Sequence, residues 1–410
     1  MTQPTRRRPD RRLILLLGAL AACGPLATDI YLPSLPSIAT SFGVSAAAAA
    51  ATLTAFIAGF SVGMLLYGPV SDAYGRRPVL LAGLGLFVVA SVACWLAGSI
   101  GQLALMRFLQ ALGAGAASVL ARTIARDAHE PADAAKVLSM VALVTSVGPL
   151  LAPLIGGQLL LLGGWRTVFI ALTLFGVFCS VAAWLRVPET WPPEKRANAA
   201  VLHSFSAYGR LLRDPVVWGH LLCGGMVFAA MFTYITATPF VYIQHFHISP
   251  QRYGLFFGLN IIGIMAGNFM NTRFVGRFGA LRLISIASTV ASAAALFVAV
   301  VCLTGWGGLW SIVAGLFFVV GVVGILSANC MTDLMYRYPR NAGAAAALFG
   351  ATQLALGALA SAVVGQFPGV SPAGMGWTIG ACGVFGYVGR MLIVRWHGRP
   401  VPGNVSPVSS

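Results

Sequence analysis

The sequence predicts an all-α integral membrane protein of twelve transmembrane helices in two six-helix halves. Three observations predict it: how apolar the chain is, how its apolar runs are spaced, and where its basic residues fall. Of 410 residues, 58% are hydrophobic and 9% are charged, and the mean hydropathy is +0.85. An ordinary soluble domain carries about 25% charged residues. No soluble fold hides so much apolar surface, so lipid is the solvent for most of the chain.

Twelve apolar segments reach spanning length, at about 13–34, 48–70, 79–98, 101–124, 136–161, 165–186, 216–241, 252–273, 281–303, 307–330, 342–365 and 373–394. Each can cross ~30 Å of hydrocarbon as a helix. None shows the alternation of a barrel strand. The first run follows basic residues, as in a signal peptide. Its apolar part covers about 20 residues and no small-residue cleavage site follows, so it reads as a retained span.

The formal charge is +16. In a soluble protein that would suggest nucleic acid; here topology accounts for it, and no nucleic-acid partner is expected. All 26 Lys and Arg residues except Arg107, Arg166 and Arg252 fall in the N-tail, the C-tail or every second connection. Basic segments stay in the cytoplasm, so both termini are expected there. The chain then divides into a tail at 1–12, a half at 13–186, a linker at 187–215, a half at 216–394 and a tail at 395–410. Leu202, Phe205, Leu211 and Leu212 fit a short helix on the lipid surface; a plain linker fits as well. "AYGRRPVLL" at 73–81 and "RFGALRLIS" at 277–285 hint at a parallel repeat around a central cavity. The seven cysteines fall singly in apolar runs and read as packing thiols.

Two charges lie inside spans. Asp29 is about 25 Å along the first, counted from Arg12, and Arg107 about 9 Å into the fourth, so the two share a depth. Charges persist in lipid only when paired or watered. A static ion pair between spans one and four is one reading. A proton site is the other: burial favours the protonated acid and a nearby arginine the ionised one. The remaining intramembrane polar groups are neutral: Thr145, Tyr234, Thr238, Asn260, Asn268 and Gln353. Tyr31, Tyr234, Thr238, Phe240 and Asn260 are candidates for an apolar, aromatic substrate cavity, with helix packing the alternative for each. Asp333 is expected to pair with Arg337, and Asp127, Glu130 and Asp133 to form a solvated loop face. The six histidines show no metal spacing, no Walker loop is present and no catalytic cluster stands out. Neither an enzyme nor a metal site is expected.

The stretch "GPVSDAYGRRP", 68–78, reads as a tight turn in which Gly68 and Pro69 break the helix. Through Gly68, Asp72, Gly75, Arg76, Arg77 and Pro78 it resembles the signature loop of the major facilitator superfamily, which implies a latch gating the cytoplasmic side. "LMRFLQALGAGAA", 105–117, resembles the span-four motif with Arg107 as its buried arginine. "SVGPLLAPLIGG", 146–157, resembles the span-five motif of proton-coupled drug antiporters through Gly148, Pro149, Gly156 and Gly157; close packing of small residues explains those glycines equally. "DIYLPSLP", "ATPFVYIQ" and "YGLFFGLNI" resemble the bicyclomycin-resistance (Bcr/CflA) branch. The resemblance implies the major facilitator fold in a bacterial inner membrane. It implies efflux of small lipophilic drugs or metabolites by a monomer, driven by the proton gradient without a cofactor, with Asp29 carrying the proton. A proton-coupled importer or facilitator on the same fold is the competing class.

Overall fold

The computed structural model describes residues 11–128, 131–191, 194, 208–367 and 371–396. Among them there is no strand, and twelve helices are long and apolar enough to cross a membrane. They form two compact units.

The first unit holds the described parts of Met1–Val44, Ala55–Ala199 and Pro250–Gly254. Its helices are α1 (Arg12–Phe42), most of α2 (Ala46–Tyr74), α3 (Arg76–Trp95), α4 (Ile100–Asp127), α5 (Val137–Gly163) and α6 (Arg166–Arg186). Here α1 packs on α4, α5 and α6, and α3 packs on α4 and α6. Lipid tails are as apolar as leucine, so close contact between helices, more than burial, holds such a unit together. Glycine permits that contact. A Cβ on Gly113 of α4 would lie 2.5 Å from the Phe87 backbone nitrogen of α3.

The second unit holds Ser45–Thr54 and the described parts of Ala200–Ser249 and Leu255–Ser410. Its helices are α7 (Pro215–His245), most of α8 (Pro250–Phe278), α9 (Ala280–Thr304), α10 (Gly308–Arg337), α11 (Ala342–Gly365) and α12 (Ala373–Trp396). Here α7 packs on α10, α11 and α12, and α9 on α10 and α12. Each of these pairings repeats one in the first unit, six helices on. Val217, Leu221, Ile284, Leu326, Phe349 and Ile393 lie at the core. The first residues of α2 belong to this unit, where Thr54 Oγ1 lies 2.7 Å from Ser361 Oγ. The boundary at the linker is therefore crossed twice, by 45–54 and by 250–254.

Large apolar side chains such as Leu162, Phe269 and Trp310 are exposed. That surface suits lipid and not water. All seven cysteines are buried and unbridged. In the linker, residues 208–211 are helical, with Leu211 buried and Arg210 exposed; 201–207, the rest of the expected surface helix, lies outside the described residues, as do most of the two tails.

The helices differ from the apolar runs mainly at prolines. Pro69 does not break α2, which continues to Tyr74. Unwinding in hydrocarbon would strip several backbone groups of partners, whereas one proline removes a single bond. Pro239 does not end α7 either: Pro239–His245 winds on as a π-helix.

Candidate functional site

The α-helical stretch Arg11–Asp29 ends at the acid itself. Pro33 stands where a donor to the Asp29 carbonyl is needed, and Pro36 where Leu32 needs one; neither has an N–H. The chain turns at Ile30 and Tyr31, forms a 3-10 turn at Leu32–Ser34 and resumes helix at Leu35–Phe42. Pro25 also leaves a carbonyl short, at Ala21, and Ser118 Oγ of α4 donates to it at 3.0 Å. The helix survives there because a neighbour supplies the missing donor.

Asp29 is 5% exposed. Among the described residues its carboxyl takes part in no hydrogen bond and no ion pair. Arg107, fully buried, lies beside the same break. Its Nη1 donates to the Ala27 carbonyl at 3.2 Å and to Gln110 Oε1 at 2.6 Å. Gln110 Nε2 donates to Ser91 Oγ at 2.7 Å, and Ser91 donates to the Phe87 carbonyl. The guanidinium carbon sits 4.3 Å from the Tyr31 ring centre and 4.0 Å from that of Phe56. Such desolvated contacts contribute about 2 kcal/mol. Nε and Nη2 have no hydrogen-bond partner. The static Asp29–Arg107 ion pair is thus not what the structure holds. The arginine is held by a carbonyl, an amide and two rings. Phe56, Gln110, Ser91 and the Ala27 carbonyl carried no signal in the sequence.

The signature turn is built around Gly75, with φ 100° and ψ 152°. That region belongs essentially to glycine. Arg76, 3% exposed, places Nη1 2.5 Å from Asp72 Oδ1 and Nε 3.2 Å from Asp127 Oδ2. Its guanidinium carbon stacks 4.6 Å from the Trp191 ring centre. The backbone N–H groups of Arg76 and Arg77 donate to Glu189 Oε1 and Oε2 at 3.0 and 3.3 Å. A carboxylate at a helix N-terminus meets unpaired donors and the positive end of the dipole. Arg77 donates to the Trp184 carbonyl at 2.7 Å. Gly68 lies within α2, and Pro78 is exposed in the first turn of α3. Asp127 corrects an expectation: it is the last residue of α4, clamped on Arg76, and not a solvated loop residue. Asp133 is exposed as expected but sits in the first turn of the helix Pro131–Gly163 and not in a loop, and Glu130 lies outside the described residues. Glu189 and Trp191 were not singled out, since nothing local to them marks a role.

On α5, Gly156 packs against the break in α1; a Cβ there would fall 2.1 Å from the Ile30 carbonyl oxygen. A Cβ on Gly157 would meet the Pro250 carbonyl oxygen at 2.7 Å, while Gly148 has ordinary room. Pro149 and Pro153 lie inside the helix.

Of the cavity candidates, Tyr31 belongs to the first unit and is filled in between Arg107 and Phe169. The other four lie in the second unit. Tyr234 stacks on Phe257 with centroids 5.7 Å apart. Thr238 is fully buried. Phe240 lines a cleft of about 40 Å³ with Thr236, Ala50 and Met375. Asn260 is buried, its Nδ2 on the Phe256 carbonyl at 3.5 Å and its Oδ1 without a donor.

The expected Asp333–Arg337 pair is not formed. Asp333 Oδ2 lies 2.8 Å from His220 Nε2 on α7, and Arg337 Nη2 lies 3.5 Å from Asp214 Oδ2. Asp214 caps α7 through the Val216 N–H and also accepts from the Tyr338 hydroxyl. Burial and that hydrogen bond push the Tyr338 phenol up from its ordinary value. Proximity in sequence suggested the wrong partner; contact between helices selects it.

The sequence profile of the Major Facilitator Superfamily matches residues 17–362. An uncharacterised MFS-type transporter of Bacillus subtilis, YdgK, is 37% identical over 86% of this chain and 88% of its own. The bicyclomycin resistance protein homolog of Haemophilus influenzae is 30% identical over 90% and 92%. Among solved structures, a D-xylose–proton symporter superposes with a TM-score of 0.74 at 19% identity, over 95% of this chain and 97% of the other.

Proposed function

Because the chain belongs to the major facilitator superfamily, in its bicyclomycin-resistance branch, we propose that it exports small lipophilic drugs or metabolites across a bacterial inner membrane in exchange for protons. It works as a monomer with both termini in the cytoplasm and uses neither ATP nor a cofactor. The observation that carries the reading is Asp29, a buried carboxyl at a helix break, with no polar partner among the described residues. Ionised and unpaired in hydrocarbon, it costs several kcal/mol; a bound proton removes that cost.

Arg107 is anchored two residues away, at Ala27, with two guanidinium nitrogens unengaged. A conformation that turns them onto Asp29 favours the carboxylate and releases the proton. One that withdraws them favours reloading. Gly156 against Ile30 lets α5 act on the break directly. Asp72 and Arg76 serve a cytoplasmic gate and touch no drug. Within the second unit, the Tyr234 and Phe240 rings bind the lipophilic body, and Asn260 Oδ1 offers an acceptor to polar decoration. One proton per drug is the simplest cycle.

The test uses inside-out vesicles with an imposed proton gradient and bicyclomycin, a phenicol and a sulfonamide as probes. Wild type accumulates at least one of them as the gradient is applied. Asp29→Asn folds and binds that probe, yet fails to accumulate it. A folded Asp29→Asn variant that still pumps uphill defeats the assignment of Asp29. Accumulation only in right-side-out vesicles makes the protein an importer.

A further inference from the structure

His220 plays no part in the transport reading. It lies in the second turn of α7 and is fully enclosed. Both ring nitrogens are engaged. Nδ1 is 2.8 Å from the Val216 carbonyl oxygen one turn back, and Nε2 is 2.8 Å from Asp333 Oδ2 on α10. A carbonyl oxygen only accepts, so Nδ1 carries a hydrogen. In a neutral imidazole Nε2 is then a bare acceptor. It faces a carboxylate oxygen, also an acceptor. Two lone pairs at that distance repel, so the contact requires a proton between them. That proton sits on Nε2, making an imidazolium–carboxylate pair, or on Oδ2, making a neutral acid that donates to a neutral ring. By either route the pair holds one proton more than neutral histidine plus carboxylate.

We propose that His220 and Asp333 form a proton-binding site, distinct from Asp29, whose occupancy ties α7 to α10. The site requires nothing of Asp29. Asp333, with a side chain 15% exposed, gives the proton its way in; His220, at 0%, does not. Charged and titratable groups on the packed elements are few. Asp214, Arg337 and Tyr338 form their own cluster where α7 begins. Cys223 of α7 and Cys330 of α10 are buried in the same apolar cluster. On α12, Arg390 stacks on Tyr387. On α9, Arg282 stacks on Phe278, and Cys302 lies near the far end. α11 carries no titratable side chain. In the described contacts none of these groups bridges His220 Nε2 and Asp333 Oδ2. When the proton leaves, the contact turns repulsive and the ends of the two helices loosen.

The experiment counts protons. Purified protein in detergent is titrated without buffer from about pH 10 to about pH 6, above the range in which an ordinary carboxyl binds a proton, and proton uptake per molecule is compared between wild type and Asp333→Asn. The asparagine amide donates an N–H to Nε2, so the variant keeps the tie and loses the titrating acid. We expect one proton fewer in the variant, with unchanged thermal unfolding at acidic pH. Hydrogen exchange in the starts of α7 and the ends of α10 rises at alkaline pH in wild type and stays flat in the variant. Equal proton counts overturn the proposal. If Asp333→Asn does not fold, the wild-type nitrogen-15 signals of His220, assigned by their loss in His220→Gln, decide. Signals that move between a proton-shared and a bare Nε2 support the site, and a ring that stays neutral with a bare Nε2 at every pH removes it. Asp29→Asn should show the same His220 titration as wild type, which separates this site from the coupling carboxyl.

Discussion

Two turns in this molecule share a backbone and differ in everything hung on it. Gly75 joins α2 to α3, and Gly279 joins α8 to α9, 204 residues later by the numbering. Their φ/ψ pairs are 100°, 152° and 75°, 159°. Around Gly75 stand two carboxylates on Arg76, a third on the α3 N-terminus and a tryptophan face. At the matching places around Gly279 are Gly276 instead of Asp72 and Ala280 instead of Arg76. Its nearby arginines, Arg277 and Arg282, rest only on the Phe278 ring among the contacts seen. The repeat therefore preserves the corner and not the clamp. Chain geometry needs the corner twice; the clamp is an addition to one copy.

Removing the clamp should have the largest effect. Arg76→Ala leaves Asp72 without its cation and Asp127 with only the exposed Arg126 at 3.4 Å, and the variant should lose about 3 kcal/mol of stability, toward the low end for a broken buried pair because Asp72 is partly exposed. Thermal unfolding in detergent reads this, and transport should fall further than binding. A shift no larger than that of Arg282→Ala would show the two turns to be alike after all.

The glycines come next, and here the turns should agree. Gly75→Ala and Gly279→Ala each place a side chain in backbone space reserved for glycine, at about 1–3 kcal/mol apiece. The same thermal shift in both variants supports a shared corner. A shift confined to Gly75→Ala would mean that the corner at Gly279 relaxes.

The smallest effect should come from grafting the pair. Gly276→Asp with Ala280→Arg recreates the i,i+4 pair without Asp127, Glu189 or Trp191. On an exposed surface such a pair contributes about 0.3–0.5 kcal/mol. A much larger gain would show that the pair alone makes the clamp.

The same contrast explains what could be read in advance. Apolar runs and alternating arginines located the twelve helices, most ends within a few residues, since lipid imposes both patterns along the chain; α1 and α10 run on to Phe42 and Arg337, past the expected ends at 34 and 330. Counting 1.5 Å per residue also brought Asp29 and Arg107 to one depth, because depth in a helix is linear in sequence. What faced Arg107 was hidden: the Ala27 carbonyl is freed only by the break that Pro33 and Pro36 impose together. Asp127, Glu189 and Trp191 meet Arg76 from the ends of other helices, and nothing within a few residues of each announces it. Pro69 misled for a physical reason, as a rule learned in water overestimates how readily a helix opens in hydrocarbon.

Arg107 takes its hold on α1 from a peptide carbonyl and not from a side chain. Genetic variation can therefore erode that anchor only indirectly. An alanine scan of α1 would pass over residue 27, already alanine, and find nothing there, while the grip stays intact. Residue 27 is free to drift among small side chains, and the burden of heredity falls on the prolines that bend the chain. An ester in place of the amide between residues 27 and 28, a weaker acceptor with no altered side chain, is the change that would reach it.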